Sequence, residues 1–109
     1  MNGKVYFGQL GKLKPEMIEE YERLHAECWP YIRQLIQKCN MKNYSIFRHG
    51  EMVFTYFEYT GSDYNKDLRN MESDEINKKW LQVTDPCFET YAYHDSKFCV
   101  DMKHIFYNK

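Results

Sequence analysis

The run Asn43-Tyr44-Ser45-Ile46-Phe47-Arg48-His49-Gly50-Glu51-Met52-Val53-Phe54-Thr55-Tyr56-Phe57-Glu58-Tyr59-Thr60 decides the fold. Asn43 to Arg48 and Met52 to Thr60 are rich in aromatic and β-branched residues, and they flank His49-Gly50. Two such runs around a short glycine-containing turn predict a β-hairpin. Upstream, Val5 to Leu10 reads as a strand, and Lys12 to Lys14 lead into Pro15, a good first helical residue. Met17, Ile18, Tyr21, Leu24, His25 and Cys28 then recur at three-to-four spacing, the mark of an amphipathic helix. Trp29-Pro30 interrupts it, because proline disfavours the helical conformation of the residue before it. Ile32, Leu35, Ile36 and Cys39 restore the period. The sequence thus predicts one kinked helix or two end to end, closing near Asn40.

Downstream of the hairpin, Gly61-Ser62-Asp63 punctuates. Ser62 or Asp63 can cap a short helix carrying Tyr64, Leu68 and Met71. Ser73 or Asp74 can cap another, with Ile76, Trp80 and Val83 on one face and Thr84-Asp85-Pro86 ending it. Cys87 to Lys97 reads as irregular. Phe98, Val100, Met102, His104 and Phe106 alternate with polar residues and predict a last strand. There is no internal repeat and no linker. The order β, α, β, β, α, β is the ferredoxin-like split βαβ of an α+β fold, one domain over residues 1–109, with helices on one face of a four-stranded sheet. Phe54, Tyr56 and their neighbours on the other face would form a large exposed apolar patch. A two-fold homodimer with sheets face to face is the simplest cover.

Composition narrows the function. With 15 Lys plus Arg against 16 Asp plus Glu, the chain lacks the basic excess of a nucleic-acid binder. Apolar residues at 43% and aromatics at 17% are enough for a folded core. No apolar run approaches the roughly 20 residues of a membrane span. No basic-then-apolar leader is evident, so the expected compartment is cytoplasmic, with Cys28, Cys39, Cys87 and Cys99 reduced. Neither the cysteines nor the four histidines show metal-ligand spacing, so no metal is expected. No glycine-rich phosphate loop, GxSxG or HExxH occurs.

Tyr21, His25 and Trp29 lie at i, i+4 and i+8 and stack along one helix face. Core packing explains that spacing equally well. A histidine, however, can give or take a proton near neutral pH. A phenol one turn away can hold it or share the transfer, and an indole can floor a sugar ring. Tyr44 shares a strand face with Ile46, and Trp80 follows Lys78-Lys79 in a polar helix. Both also read as ordinary packing residues, and Thr84 and Asp85 as helix-ending ones. His49 and His94 read as solvated, and His104 as packed.

Glu19-Glu20-Tyr21-x-x-x-His25-x-x-x-Trp29-Pro30, Asn43-Tyr44-x-Ile46, Trp80-x-x-x-Thr84-Asp85 and the closing Ile105-Phe106-Tyr107 together resemble the L-rhamnose mutarotase family. The resemblance covers nearly the whole chain and implies a dimeric α+β barrel. It implies His25 as proton donor and Tyr21, Tyr44 and Trp80 as sugar-binding residues. Family members carry two adjacent tryptophans where this chain has Lys79-Trp80, so Lys79 joins the candidate binding residues. Pro86-Cys87-Phe88-Glu89-Thr90-Tyr91 also lacks the family's proline- and asparagine-rich loop.

The implied reaction is exchange of α and β anomers of a monosaccharide by ring opening, with no cofactor. One positioned acid or base supplies about 10²–10⁴-fold, adequate for a reaction that already proceeds in water. His25 is read as general acid/base and Tyr21 as its partner or a second proton carrier. Trp29 is read as packing or pocket wall. The rival readings are a dimeric α+β barrel monooxygenase, haem-binding or cofactor-free, and a non-catalytic small-molecule binding module.

Overall fold

A computed structural model describes residues 4–90 and 97–109. His94 and most of the expected irregular stretch therefore lie outside the described residues. Strand β1 (Val5–Lys12) leads through a single 3₁₀ turn at Pro15–Met17 into α1 (Ile18–Ala26) and α2 (Pro30–Lys38). The hairpin follows as β2 (Met41–His49) and β3 (Met52–Tyr59), then α3 (Tyr64–Ser73), α4 (Glu75–Thr84), a 3₁₀ turn at Asp85–Cys87 and β4 (Val100–Met102). The strands lie in the order β2-β3-β1-β4, and each pairing is antiparallel. This is the α+β split βαβ arrangement, with the outer strands β2 and β4 flanking a β3–β1 centre.

Local chemistry explains the boundaries. Trp29 takes an extended ψ of 131° ahead of Pro30, so of the two expected forms the chain takes two helices end to end, and α2 starts anew with proline at its first position. Asn40 follows α2 with a positive φ of 64°, a conformation asparagine tolerates, and turns the chain into β2. The Asp63 side chain accepts from the Lys66 amide to cap α3. Asp74 accepts from the Ile76 and Asn77 amides to cap α4.

Val53, Thr55, Phe57 and Tyr59 alternate inward along β3 and are buried under the helices. Gly11 lies beside them because a Cβ there would meet Cys99 Sγ at 2.7 Å and the Phe88 ring at 2.9 Å. The opposite face carries Phe47 and Phe54, both exposed.

Two expectations are corrected. The last strand does not run from Phe98 to Phe106: it is three residues long, and His104 is exposed rather than packed. His104 Nε2 makes a local contact of 3.0 Å with the Phe106 carbonyl oxygen, and Tyr107 stacks on Tyr6 at 4.9 Å. Side-chain contacts thus replace ladder bonds beyond Met102. The buried face of α4 is Asn77, Trp80 and Thr84, while Val83 is 40% exposed. Asn77 is buried, and its Nδ2 donates to the Met71 carbonyl at 3.0 Å.

A β-bulge in β2 matters most for the site. Lys42 pairs with Glu58 and Ser45 with Tyr56, so Asn43 and Tyr44 together oppose Phe57. The extra residue keeps Met41 in the core and still turns Tyr44 to the helix-covered face, where it stacks on Phe57 at 5.4 Å. Asn43 supplies the required positive φ of 52°, and its Nδ2 donates to Glu58 at 3.1 Å. Asn43→Val should therefore cost about 1–2 kcal/mol of unfolding free energy in urea titrations, since a β-branched residue is disfavoured in that conformation. Asn43→Gly should cost clearly less. Equal losses in the two variants would show that the bond to Glu58, not the backbone conformation, is what Asn43 contributes.

Candidate functional site

Between the helices and the inner face of the sheet lies a cavity of about 690 Å³. Tyr21 and His25 enter it from α1, Tyr44 from β2, Trp80 from α4 and Phe88 from the turn after α4. The i, i+4 spacing on α1 brings the Tyr21 and His25 rings to 4.3 Å. The Trp80 and His25 rings meet edge-to-face with centroids 5.4 Å apart, and Trp80 meets Trp29 in the same way at 5.1 Å. Four of the residues singled out in the sequence therefore meet in one place. Trp29 stands behind them, in the core rather than on the cavity lining. Lys79 is exposed and does not line the cavity.

His25 Nδ1 sits 2.9 Å from the Tyr21 carbonyl oxygen. In the neutral ring this contact places the N–H on Nδ1, donating to that carbonyl, and leaves Nε2 with its lone pair. Burial pulls the His25 pKa below the ordinary histidine value, outweighing the Tyr21 carbonyl, which favours the protonated ring. Burial raises the Tyr21 phenol far above its usual range. Tyr44 keeps 39% of its surface exposed, yet its hydroxyl is enclosed by the cavity, and burial there pushes its pKa up to about 12. Neither hydroxyl has a hydrogen-bond partner among the described residues, and neither is sealed from solvent. Both are free to meet a ligand.

The cavity also has a polar side that the sequence did not reveal. Gln9 Nε2 donates to Asp101 Oδ1 at 2.8 Å across the β1–β4 pair. Tyr64 stands nearby, its pKa pushed up to about 12 by burial and then by the charges of Asp101 and Glu72. Asp85, Cys99 and the Lys97–Glu72 ion pair also line the cavity, and burial raises Asp85 and Cys99, the latter to about 11. Strand pairing and the turn after α4 bring these residues in from distant parts of the chain, and of them only Asp85 belongs to a motif quoted above, where it reads as helix-ending. Among the described residues no cluster of three or more His, Cys, Asp or Glu has the arrangement of a metal site. No described helix is long and apolar enough to cross a membrane.

An apolar, aromatic floor holding one histidine, with hydroxyl and carboxamide groups around it, suits a small neutral polyhydroxyl ligand. The comparisons agree with that chemistry. The family model for L-rhamnose mutarotase matches residues 6–108. An L-rhamnose mutarotase from Lactiplantibacillus plantarum is 30% identical over 103 residues, covering 94% of this chain and 97% of its own. The crystal structure of an L-rhamnose mutarotase from Formosa agariphila superposes with a TM-score of 0.72 at 21% identity, covering 96% of this chain and 99% of that one. Tetracenomycin F2 cyclase from Streptomyces glaucescens superposes with a TM-score of 0.67 at 11% identity, again over 96% and 99%, a likeness of fold alone. The chain belongs to the L-rhamnose mutarotase family. That membership does not favour the monooxygenase and non-catalytic readings.

The lowered His25 pKa has a thermodynamic consequence. Between the folded pKa and the ordinary value of about 6.5, the unfolded chain binds a proton that the native state does not. The His25 contribution to stability is therefore complete above about pH 6.5 and falls as pH drops through that window. Urea titrations from pH 7.5 to 5 should show a smaller acid loss for His25→Asn than for the native chain. Parallel curves would place His25 in a water-like environment.

Proposed function

We propose that this chain is an isomerase that interconverts the α and β anomers of a reducing sugar, L-rhamnose first among them. Family membership and the enclosed Tyr21–His25–Trp80 cluster both support this reading. The observation that carries it is the tethered imidazole: Nδ1 is committed to the Tyr21 carbonyl, which leaves a single nitrogen for proton transfer beside an indole floor.

Mutarotation needs the C1–O5 bond of the pyranose to break. As the proton leaves the anomeric hydroxyl, that oxygen becomes the aldehyde carbonyl. The C1–O5 electron pair goes to the ring oxygen, which takes up a proton. Rotation about C1–C2 exposes the other aldehyde face, and the reverse transfers close the ring with no net change in protons. His25 is the general acid/base at this centre. Tyr21 and Tyr44 hold their protons and donate hydrogen bonds to sugar oxygens, and the Trp80 edge borders the apolar face of the ring. No cofactor is required by this scheme. Lys79 plays no part in the pocket, so replacing it by Trp should leave relative exchange rates on L-rhamnose and L-mannose unchanged.

The functional unit we propose is a homodimer joined through the open face of the sheet. Phe47 is 62% exposed there, beside Phe54, a larger apolar area than a monomer comfortably leaves in water. Light scattering at micromolar concentration should give twice the 13.4 kDa chain mass, and a 13.4 kDa species would refute the dimer.

Saturation-transfer proton NMR on L-rhamnose measures the activity directly. The native chain should accelerate exchange between the two anomeric protons. His25→Asn should lower that acceleration by about 10²-fold or more with the fold retained. Near-full activity in that variant would remove His25 from the mechanism.

A further inference from the structure

Asp85 is an outlier among the carboxylates of this chain. It follows α4 directly, opening the 3₁₀ turn through Cys87, where aspartate normally serves as a cap. Its side chain caps nothing. The amide of Phe88 bonds to the Asp85 main-chain carbonyl at 3.0 Å, and among the described residues its carboxylate has no hydrogen bond and no ion pair. A half-buried carboxylate without partners is costly to keep unless it has work elsewhere. Asp85 also lines two spaces at once. One is the cavity holding Tyr21, His25, Tyr44 and Trp80. The other is an outer hollow of about 620 Å³ on the solvent side, lined by Lys14, Gln82 and Pro86 among others.

Ring opening needs two proton carriers acting together, one at the anomeric oxygen and one at the ring oxygen. His25 offers a single free nitrogen. Tyr21 holds its proton too tightly to act as a base. Of the other carboxylates on the lining, Asp101 accepts from Gln9 and Glu72 pairs with Lys97, which leaves Asp85 as the one without a partner among the described residues. We propose that Asp85 is that second carrier, a catalytic residue that trades a proton with one sugar oxygen while His25 trades with the other. The inference rests on the mutarotase reading above.

In the opening step, whichever of the two groups is protonated delivers its proton to the ring oxygen as the C1–O5 bond breaks. The other takes the proton of the anomeric hydroxyl. Closure reverses both transfers. Burial raises the Asp85 pKa and lowers that of His25, which brings the two proton affinities toward each other. On the cavity side the Asp85 charge acts on Cys99, and the same cavity is lined by Tyr21, His25, Tyr44, Tyr64, Glu72, Lys97 and Asp101; the outer hollow adds Lys14, Lys78 and Glu89. Its position between the two spaces lets Asp85 exchange its proton with bulk water while His25 stays enclosed.

The test uses the full chain with Asp85→Asn and Asp85→Glu, each checked for folding by circular dichroism. Exchange is measured at saturating L-rhamnose from pH 4.5 to 8, and sugar affinity by quenching of tryptophan fluorescence. Asp85→Asn should slow exchange by about 10- to 10²-fold, change affinity by less than about threefold, and remove one limb of the pH–rate profile. Asp85→Glu should restore part of the rate with that limb displaced. A rate within about threefold of the native chain with the same profile would overturn the proposal. So would a rate loss matched by an equal loss of affinity, because Asp85 would then only position the sugar. If Asp85→Asn does not fold, an undisplaced limb in Asp85→Glu overturns it. A native chain with no exchange activity would instead defeat the mutarotase reading, a distinct result.

Discussion

Trp80 is the contact on which the site depends. α4 has to be held close enough to α1 and α2 to enclose a cavity, but not so close that it fills it. Two contacts set that spacing. At the start of α4 the Tyr31 hydroxyl of α2 donates to Asp74 Oδ2 at 2.6 Å, and the same carboxylate caps the helix. A turn and a half later Trp80 sits between Trp29 and His25, edge-to-face with each. Each edge-to-face pair contributes about 0.5–1.5 kcal/mol beyond simple burial. The same indole that fastens the helix is therefore a wall of the cavity and fixes the imidazole plane. Core packing and ligand binding are not alternatives for this residue, which explains why its spacing in the sequence suits both.

Much of this was legible in the sequence because the signals are local. The hairpin announces itself by two aromatic runs around His49-Gly50, and the helix break by Trp29-Pro30. The Tyr21–His25 pair follows from helix geometry alone. What the sequence could not show depends on pairing. The β2 bulge inserts one residue between Lys42 and Ser45, and no composition rule distinguishes that from a regular strand. Gln9 and Asp101 are 92 residues apart and become neighbours only through strand register. The last strand overran because alternation continued past Met102 while the ladder stopped. Asp85 reads in the sequence as a helix-ending residue, because aspartate after a helix is an ordinary end signal, and only its place on the cavity wall without a side-chain partner sets it apart.

Fold alone would not have selected a reaction, since α+β barrels of this shape carry unrelated chemistries. The selection comes from side chains that the fold merely delivers. A four-stranded sheet with helices on one face leaves a cavity between the sheet and those helices, and whatever residues line that cavity define the function. Among the described residues they are phenols, one indole, one imidazole, the carboxylates of Glu72, Asp85 and Asp101, and a single cation, Lys97, which pairs with Glu72. That inventory fits a neutral sugar better than a nucleotide or a phosphorylated metabolite.

The electrostatics of the cavity all run in one direction. Burial raises the phenols of Tyr21, Tyr44 and Tyr64, the Cys99 thiol and the Asp85 carboxyl, and it lowers the imidazole of His25. Every shift favours the uncharged form, as expected of groups drawn out of water without compensating partners. A site of this kind would be poor at stabilising a full oxyanion or a metal-bound hydroxide, which need fixed opposing charge. It is well matched to a reaction in which a neutral sugar opens to a neutral aldehyde and two protons move at nearly the same time. In such a concerted transfer little net charge develops, so the low-dielectric walls exact no penalty and still exclude competing water.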